Sequence, residues 1–226
     1  PLSPIFHKLI LTQKKIKVPA CILNIGGIAN ITLIKDYKSY NLSSCDIGPG
    51  NCLIDSWVRN NSNKKFDKDG ILASKGQINE IILEQAQELY SNRNNKDALS
   101  LDINDFDVSF VRGLSLEDGV ATLTEFTADV ITSGIMSFLS KEKNNKIEIL
   151  TAGGGRKNKV LLSKIKNKLK KNIRLLPIDN YGIDGDFVES QAFAFLAIRS
   201  FLGEPISFPG TTKCSKPCTG GEFISL

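Results

Sequence analysis

The sequence predicts an α/β fold, a mixed sheet with helices on both faces. Three observations carry that prediction. Near the start, short apolar runs with alternation are separated by glycines, the pattern of a strand meander. Further on, apolar runs alternate with segments of helical spacing, the pattern of crossover units. With 226 residues, 41% hydrophobic and 23% charged, the chain is long enough for one large domain or two small ones and has an ordinary globular composition.

Taken in order, Cys21-Ile22-Leu23-Asn24-Ile25 is an apolar run ending at Gly26-Gly27, and residues 28–34 resume it with alternation at Ile31 and Leu33. Two strands joined by a glycine turn follow from this pattern. A third strand at 39–45 leads into Asp46-Ile47-Gly48-Pro49-Gly50, where proline and glycines are expected to stop regular structure. Asn51 reads as the N-cap of a helix with Leu53, Ile54, Trp57 and Val58 on one face. Residues 64–113 read as an insertion covering the core, with a helix at 78–90 and an asparagine-rich stretch at 91–95.

The longest helix is expected at 116–139, where Val120, Leu123, Thr127, Val130, Ile131, Gly134 and Phe138 recur at helical spacing. A strand at 146–152, Gly153-Gly154-Gly155 and a helix marked by Leu161, Ile165 and Leu169 then form a crossover unit. A strand at 173–178 and a helix marked by Val188, Ala192, Phe195 and Leu196 complete the set, and the tail from Pro205 reads as a surface loop. The order is three strands, helix, strand, helix, strand, helix, with one insertion and no internal repeat, so one domain is the simpler count. This is the order of the ribonuclease H-like lobe shared by actin, Hsp70 chaperones and sugar kinases.

Composition narrows the function classes. The net charge of +5 comes mostly from lysines beside asparagines, as in Lys143-Asn144-Asn145-Lys146 and the tract at 164–171. Without interleaved aromatics these tracts read as solvated surface, and no nucleic-acid partner is expected. Five scattered cysteines, Cys21, Cys45, Cys52, Cys214 and Cys218, do not read as a secreted disulfide framework. One histidine, His7, leaves a structural zinc site short of ligands. No membrane-length apolar run or signal pattern is present, so the expected setting is cytoplasmic. The chain opens without methionine, at Pro1-Leu2-Ser3-Pro4, as expected of part of a longer or processed protein.

Four segments carry chemistry. Asn24-Ile25-Gly26-Gly27-Ile28-Ala29-Asn30 puts two glycines at a strand turn, where backbone N–H groups can face an anion; it also reads as a plain hairpin. Asp46-Ile47-Gly48-Pro49-Gly50-Asn51 sets a carboxylate at a strand end before a helix N-terminus, which favours phosphate, a proton or magnesium; a simple turn reads equally well. Asp55, one turn into that helix, reads as a solvated face residue. Gly153-Gly154-Gly155 lets a purine or ribose lie against bare backbone, and three glycines exceed the needs of a strand-to-helix turn. In Tyr181-Gly182-Ile183-Asp184-Gly185-Asp186, Asp186 is placed to cap the last helix, with Glu189 in its first turn.

The joint order of these segments, together with Leu114-Ser115-Leu116-Glu117-Asp118-Gly119 and Glu189-Ser190-Gln191-Ala192-Phe193-Ala194, resembles the anhydro-N-acetylmuramic acid kinase family over nearly the whole chain. The opening Pro1-Leu2-Ser3-Pro4-Ile5-Phe6-His7 is similar to the start of that family's second half. The resemblance implies a homodimeric kinase that uses ATP and magnesium to open an anhydro-sugar and phosphorylate O6 in peptidoglycan recycling. By the same resemblance Asp46 is the general base, Gly26 and Gly27 face the phosphates, and Gly153, Gly154 and Gly155 contact adenosine. Asn24, Gly48 and Glu189 are the implied substrate contacts, and no side chain is assigned as a metal ligand.

Three departures from the family stand out. Its N-terminal lobe with the first phosphate loop is absent from these residues, so the 226 residues alone are expected to be poorly active. Ile47 stands where the family turn has threonine. The tail at 213–221 is unmatched. A noncatalytic nucleotide-binding lobe of the actin and Hsp70 class, or a remnant that binds nothing, are the alternatives; a dehydrogenase ranks last because the glycines lack its spacing.

Overall fold

The computed structural model describes residues 1–38, 40–93, 100–142, 146–222 and 224. Ser39 at the start of the expected third strand, Asn94 and Asn95, and Lys143-Asn144-Asn145 lie outside the described residues. The chain opens with helix α1 (Pro4–Gln13), then β1 (Ala20–Ile25), β2 (Ile28–Ile34), β3 (Leu42–Pro49) and α2 (Cys52–Asn61). After α3 (Glu80–Arg93) and α4 (Leu116–Phe138) come β4 (Ile147–Ala152), α5 (Lys159–Lys168), β5 (Ile173–Pro177), α6 (Val188–Phe201) and α7 (Pro209–Thr212).

The five strands form one sheet in the order β3-β2-β1-β4-β5. β1, β2 and β3 are an antiparallel meander, whereas β4 lies parallel to β1 and β5 parallel to β4. The predicted mixed sheet and its element order are both present. β1 is central and covered on both faces, which is why Ala20 to Leu23 are all fully buried and the run is continuously apolar.

Period-two alternation splits the core. Ala20, Ile22, Leu150 and Ala152 face α1 and α6, while Cys21, Leu23, Ile31 and Ile149 face α4 and α5. Helices thus cover both faces. A third cluster joins α2, α3 and α4 through Leu53, Trp57, Leu83, Leu123 and Phe126, so much of the expected insertion packs on helices rather than on the sheet.

Several expectations need correction. α1 was not foreseen; Pro4, Ile5, Phe6, His7, Ile10 and Leu11 are all buried, so apolar content wraps around the helix and blurs its period. β3 does not stop before Pro49, because it is an edge strand with one neighbour and the N–H that Pro49 lacks is not needed by a second. The tail is not a free loop. Phe208 is 1% exposed, α7 follows it, and Cys218 pairs with Ser207 by backbone bonds of 3.1 Å. The lysine tract is not wholly solvated either, since Lys168 pairs with Glu125 at 2.7 Å and Asp129 at 2.6 Å, and Lys164 also pairs with Glu125. Among the described residues, no helix is long and apolar enough to cross a membrane.

His7 ties α1 to the sheet. It is 1% exposed, and its Nδ1 lies 2.9 Å from Thr32 Oγ1, which in turn is 3.3 Å from Ser44 Oγ. Burial pushes its pKa down to about 3. The folded chain therefore keeps His7 neutral while the unfolded chain protonates it below about 6.5, so its contribution to stability falls as pH drops from 6.5 toward 3. Asp55, with its pKa raised to about 6, opposes this between about 6 and 4. Urea unfolding at several pH values should show the wild type losing stability relative to His7→Asn by roughly 1 kcal/mol per pH unit between pH 6 and 5. Parallel curves for the two proteins would rule out a neutral buried His7.

Candidate functional site

Because β1, β3 and β4 run in the same direction, their carboxyl ends open on one edge of the sheet. That edge collects Gly26-Gly27 after β1, the Gly48-to-Asn51 turn after β3, and Gly153-Gly154-Gly155 after β4. Ligands of open α/β sheets bind at such an edge. Asn24, half-buried at the end of β1, sits between two of these turns: a Cβ on Gly153 would lie 2.5 Å from Asn24 Oδ1.

The first two turns seal each other. Gly50 N donates to Gly27 O at 2.8 Å, Asn51 N to Gly26 O at 2.7 Å, and Cys52 N to Gly27 O at 3.2 Å. One of these amides, Cys52 N, is the first of α2, so the start of the helix is tied to the first glycine turn. Asn51 occupies the N-cap position without capping; its Nδ2 reaches back to the carbonyl of Ile25 at 3.5 Å. Gly26 N is bonded to Ile28 O at 3.3 Å, whereas Gly27 is exposed at the surface of the turn. Gly48 is buried against α4, where a Cβ would meet Val130 Cγ1 at 2.3 Å, so packing by itself requires a glycine there.

The glycine triplet divides in the same way. Gly153 has φ of +77°, and a Cβ on Gly155 would lie 2.3 Å from Ile25 Cγ2, so both are required by local structure. Gly154 is exposed, with nothing nearer than 4.0 Å to its Cβ position. Behind the triplet stands Arg156, which the sequence reading passed over. Its guanidinium binds Asp179 and Asp186, so Asp186 does not cap α6; Phe187 holds the cap position. Glu189 is exposed in the first turn of α6.

Asp46 lies within β3, in register with Asn30 and half-buried. Its Oδ2 accepts a hydrogen bond from Leu101 N at 3.0 Å. Leu101 belongs to the expected insertion, and two residues on, Ile103 Cγ2 lies 3.4 Å from the Cβ position of Gly27. This short piece of insertion backbone thus spans from Asp46 to the first glycine turn. Asp46 also lines a cavity of about 800 Å³ walled by Gln87, Tyr90, Asp129, Ser133 and Ser137, a volume suited to a small polar ligand. Ile47 is 8% exposed and packs over Gly134, which explains how a hydrocarbon is accommodated there.

Asp55 is not the solvated residue expected. Burial raises its pKa to about 6, with Asp67 adding to the rise and Arg59 opposing it. No sequence signal distinguishes it from other first-turn acids. No local signal points to Arg156 either, since the carboxylates it binds lie 23 and 30 residues later.

The two exposed-versus-packed classes of glycine make a direct test. Gly50→Ala would bring Cβ to 2.2 Å from Gly26 O, and should cost at least about 2 kcal/mol in denaturant unfolding. Gly154→Ala should stay within about 0.5 kcal/mol of the wild type. Equal losses would mean that the turns do not pack as described.

The sequence comparisons with known proteins agree over nearly the whole chain. The sequence model described as Anhydro-N-acetylmuramic acid kinase matches residues 1–225. The Anhydro-N-acetylmuramic acid kinase of Pelagibacter ubique is 52% identical over 224 residues, covering 99% of this chain and 60% of that protein. The one from Zymomonas mobilis is 39% identical, covering 99% of this chain and 58% of that protein. Among solved structures, the Activator of the 2-Hydroxyisocaproyl-CoA Dehydratase from Clostridium difficile with bound ADPNP aligns with a TM-score of 0.49 and 16% identity, over 87% of this chain and 66% of that chain. The chain spans about 60% of the length of the curated relatives it matches. It belongs to the anhydro-N-acetylmuramic acid kinase family.

Proposed function

We propose that this chain is the lobe of an ATP-dependent sugar kinase that carries the general base, in an enzyme converting 1,6-anhydro-N-acetylmuramic acid to N-acetylmuramic acid 6-phosphate in peptidoglycan recycling. The observation that carries the reading is Asp46, held by Leu101 N on the wall of the cavity, at the sheet edge where the glycine turns gather. In this reading Asp46 takes a proton from water, the water oxygen attacks the anomeric carbon, the bond from that carbon to O6 breaks, and O6 attacks the γ-phosphorus as ADP leaves. Phosphoryl transfer depends mainly on positioning and charge neutralisation, so a site with one reactive side chain is sufficient on this lobe.

Around the glycine triplet, Asp179, Asp184 and Asp186 face Arg156 and Lys157, and the Lys14 ammonium lies 3.2 Å from Gly182 O on the same loop, so the charges balance. In this reading adenosine lies at the triplet and the phosphates at Gly27, each against bare backbone. Asn24, between the turns, and Glu189 are the remaining proposed ligand contacts. Among the described residues no group of three or more His, Cys, Asp or Glu side chains gathers for a metal. In this reading a magnesium ion would be carried by the triphosphate and would neutralise phosphate charge, with no side chain of this chain assigned to it. The rest of the site would come from the part of the family's length that this chain does not span. A reducing, cytoplasmic setting fits the five free thiols.

The test is ADP release with magnesium-ATP and the anhydro-sugar, run on residues 1–226 and on these residues joined to the portion of the Pelagibacter ubique relative that they do not span. Sugar-dependent ADP and the 6-phosphate by mass should come from the joined protein. Nucleotide binding without sugar dependence would replace this reading with a noncatalytic nucleotide-binding lobe. In the joined protein, Asp46→Asn should lower turnover by about 10²- to 10⁴-fold while ATP affinity changes less than about twofold. Retained turnover removes Asp46 as the base.

A further inference from the structure

Arg156 is 8% exposed, rare burial for an arginine. All three nitrogens of its fork are engaged: Nε lies 2.8 Å from Asp179 Oδ2, Nη2 3.1 Å from Asp179 Oδ1, and Nη1 2.7 Å from Asp186 Oδ1 and 3.0 Å from Gly153 O. Asp184 Oδ1 stands 3.7 Å from Nη2. One side of the guanidinium therefore holds the backbone of the glycine turn, and the other sides hold the loop that leads into α6.

The two segments are fitted around this side chain. A Cβ on Gly185 would lie 2.3 Å from Arg156 Nε, so glycine at that position makes room for the arginine. Gly153 N donates to Gly185 O at 3.4 Å, a second link between the same segments. Global stability does not explain the arrangement. The side chains of Asp179, Asp184 and Asp186 are 44%, 57% and 43% exposed, and ion pairs with such exposed partners stabilise a fold little. What they do fix is geometry, because a guanidinium binding a carboxylate through two nitrogens leaves neither group free to turn.

We infer that Arg156 is a positioning residue: clamped between Gly153 and the carboxylates of Asp179 and Asp186, it sets how the glycine triplet sits against the loop leading into α6, and so the position of the turn backbone proposed to contact adenosine. The adenosine part of this inference rests on the reading given under Proposed function. A lysine cannot replace the arginine, since a single ammonium cannot hold Asp179 through two donors while also reaching Gly153 and Asp186.

The experiment uses the joined protein and measures magnesium-ATP affinity by titration calorimetry, melting temperature and sugar KM for its wild-type form and for Arg156→Lys, Arg156→Gln and Asp179→Asn. Arg156→Gln should weaken ATP binding by roughly tenfold or more, and Arg156→Lys should recover only part of the loss. Asp179→Asn, altered at a half-exposed position, should act in the same direction even where Arg156→Gln folds poorly. Sugar KM should stay within about twofold and melting temperature within about 3 °C. ATP binding by the wild type that is unchanged in Arg156→Gln and Asp179→Asn overturns this inference alone. Losses that follow melting temperature and weaken sugar and ATP alike overturn it in favour of a purely structural role. No ATP binding by the wild type overturns the nucleotide reading of the turn and this inference with it.

Discussion

Where the β1–β2 turn meets the start of α2, backbone touches backbone with no space for a Cβ. The carbonyls of Gly26 and Gly27 accept three amides from Gly50, Asn51 and Cys52. These bonds fix where β3 ends and the direction in which α2 leaves. α2 is then locked onto α4, with Trp57 Nε1 donating to Leu116 O at 3.1 Å and its indole lying over Gly119. α4 closes the loop by packing Val130 on Gly48 and Gly134 under Ile47. A shift at the turn would be felt through helix, helix and strand in succession, since packed interiors transmit strain.

The expected insertion is tied into this frame and does more than cover it. Asp67, 6% exposed, accepts from Leu72 N and Ala73 N at 2.7 Å and 3.0 Å. Asp118 and Thr122 on α4 accept from Gln77 N and Asn79 N at 2.7 Å and 3.0 Å. Aromatic contacts of Tyr90 and Phe110 with Phe126 hold the far side. So anchored, the insertion carries Leu101 to Asp46 and Ile103 to Gly27, which makes a segment remote in sequence part of the candidate site.

The glycines at the edge serve two different purposes that composition does not distinguish. Gly48, Gly50, Gly153 and Gly155 are glycines because a side chain would strike neighbouring atoms. Gly27 and Gly154 are exposed at the surface of their turns, and under the proposed function they would keep bare backbone open to a ligand. The polar groups divide similarly: Arg156 and its carboxylates hold two segments in place, while Asp46 faces a cavity.

The sequence by itself determined the meander, the crossover units, the central apolar strand, the long α4 helix and the glycine turns, because period-two and helical spacing and glycine placement are local properties. It also marked Asp46. It did not reveal α1, whose buried residues surround the helix, or the docking of Phe208, whose burial depends on α1 and the sheet. Nor could it show that the start of α2 is tied to the first glycine turn, since that depends on whether carbonyls 23 to 25 residues earlier come within bonding distance. Only the tertiary structure decided that Leu101 meets Asp46, that Arg156 gathers Asp179 and Asp186, and that Asp55 is desolvated. Each of these depends on through-space proximity between distant segments, which no local pattern of residues encodes.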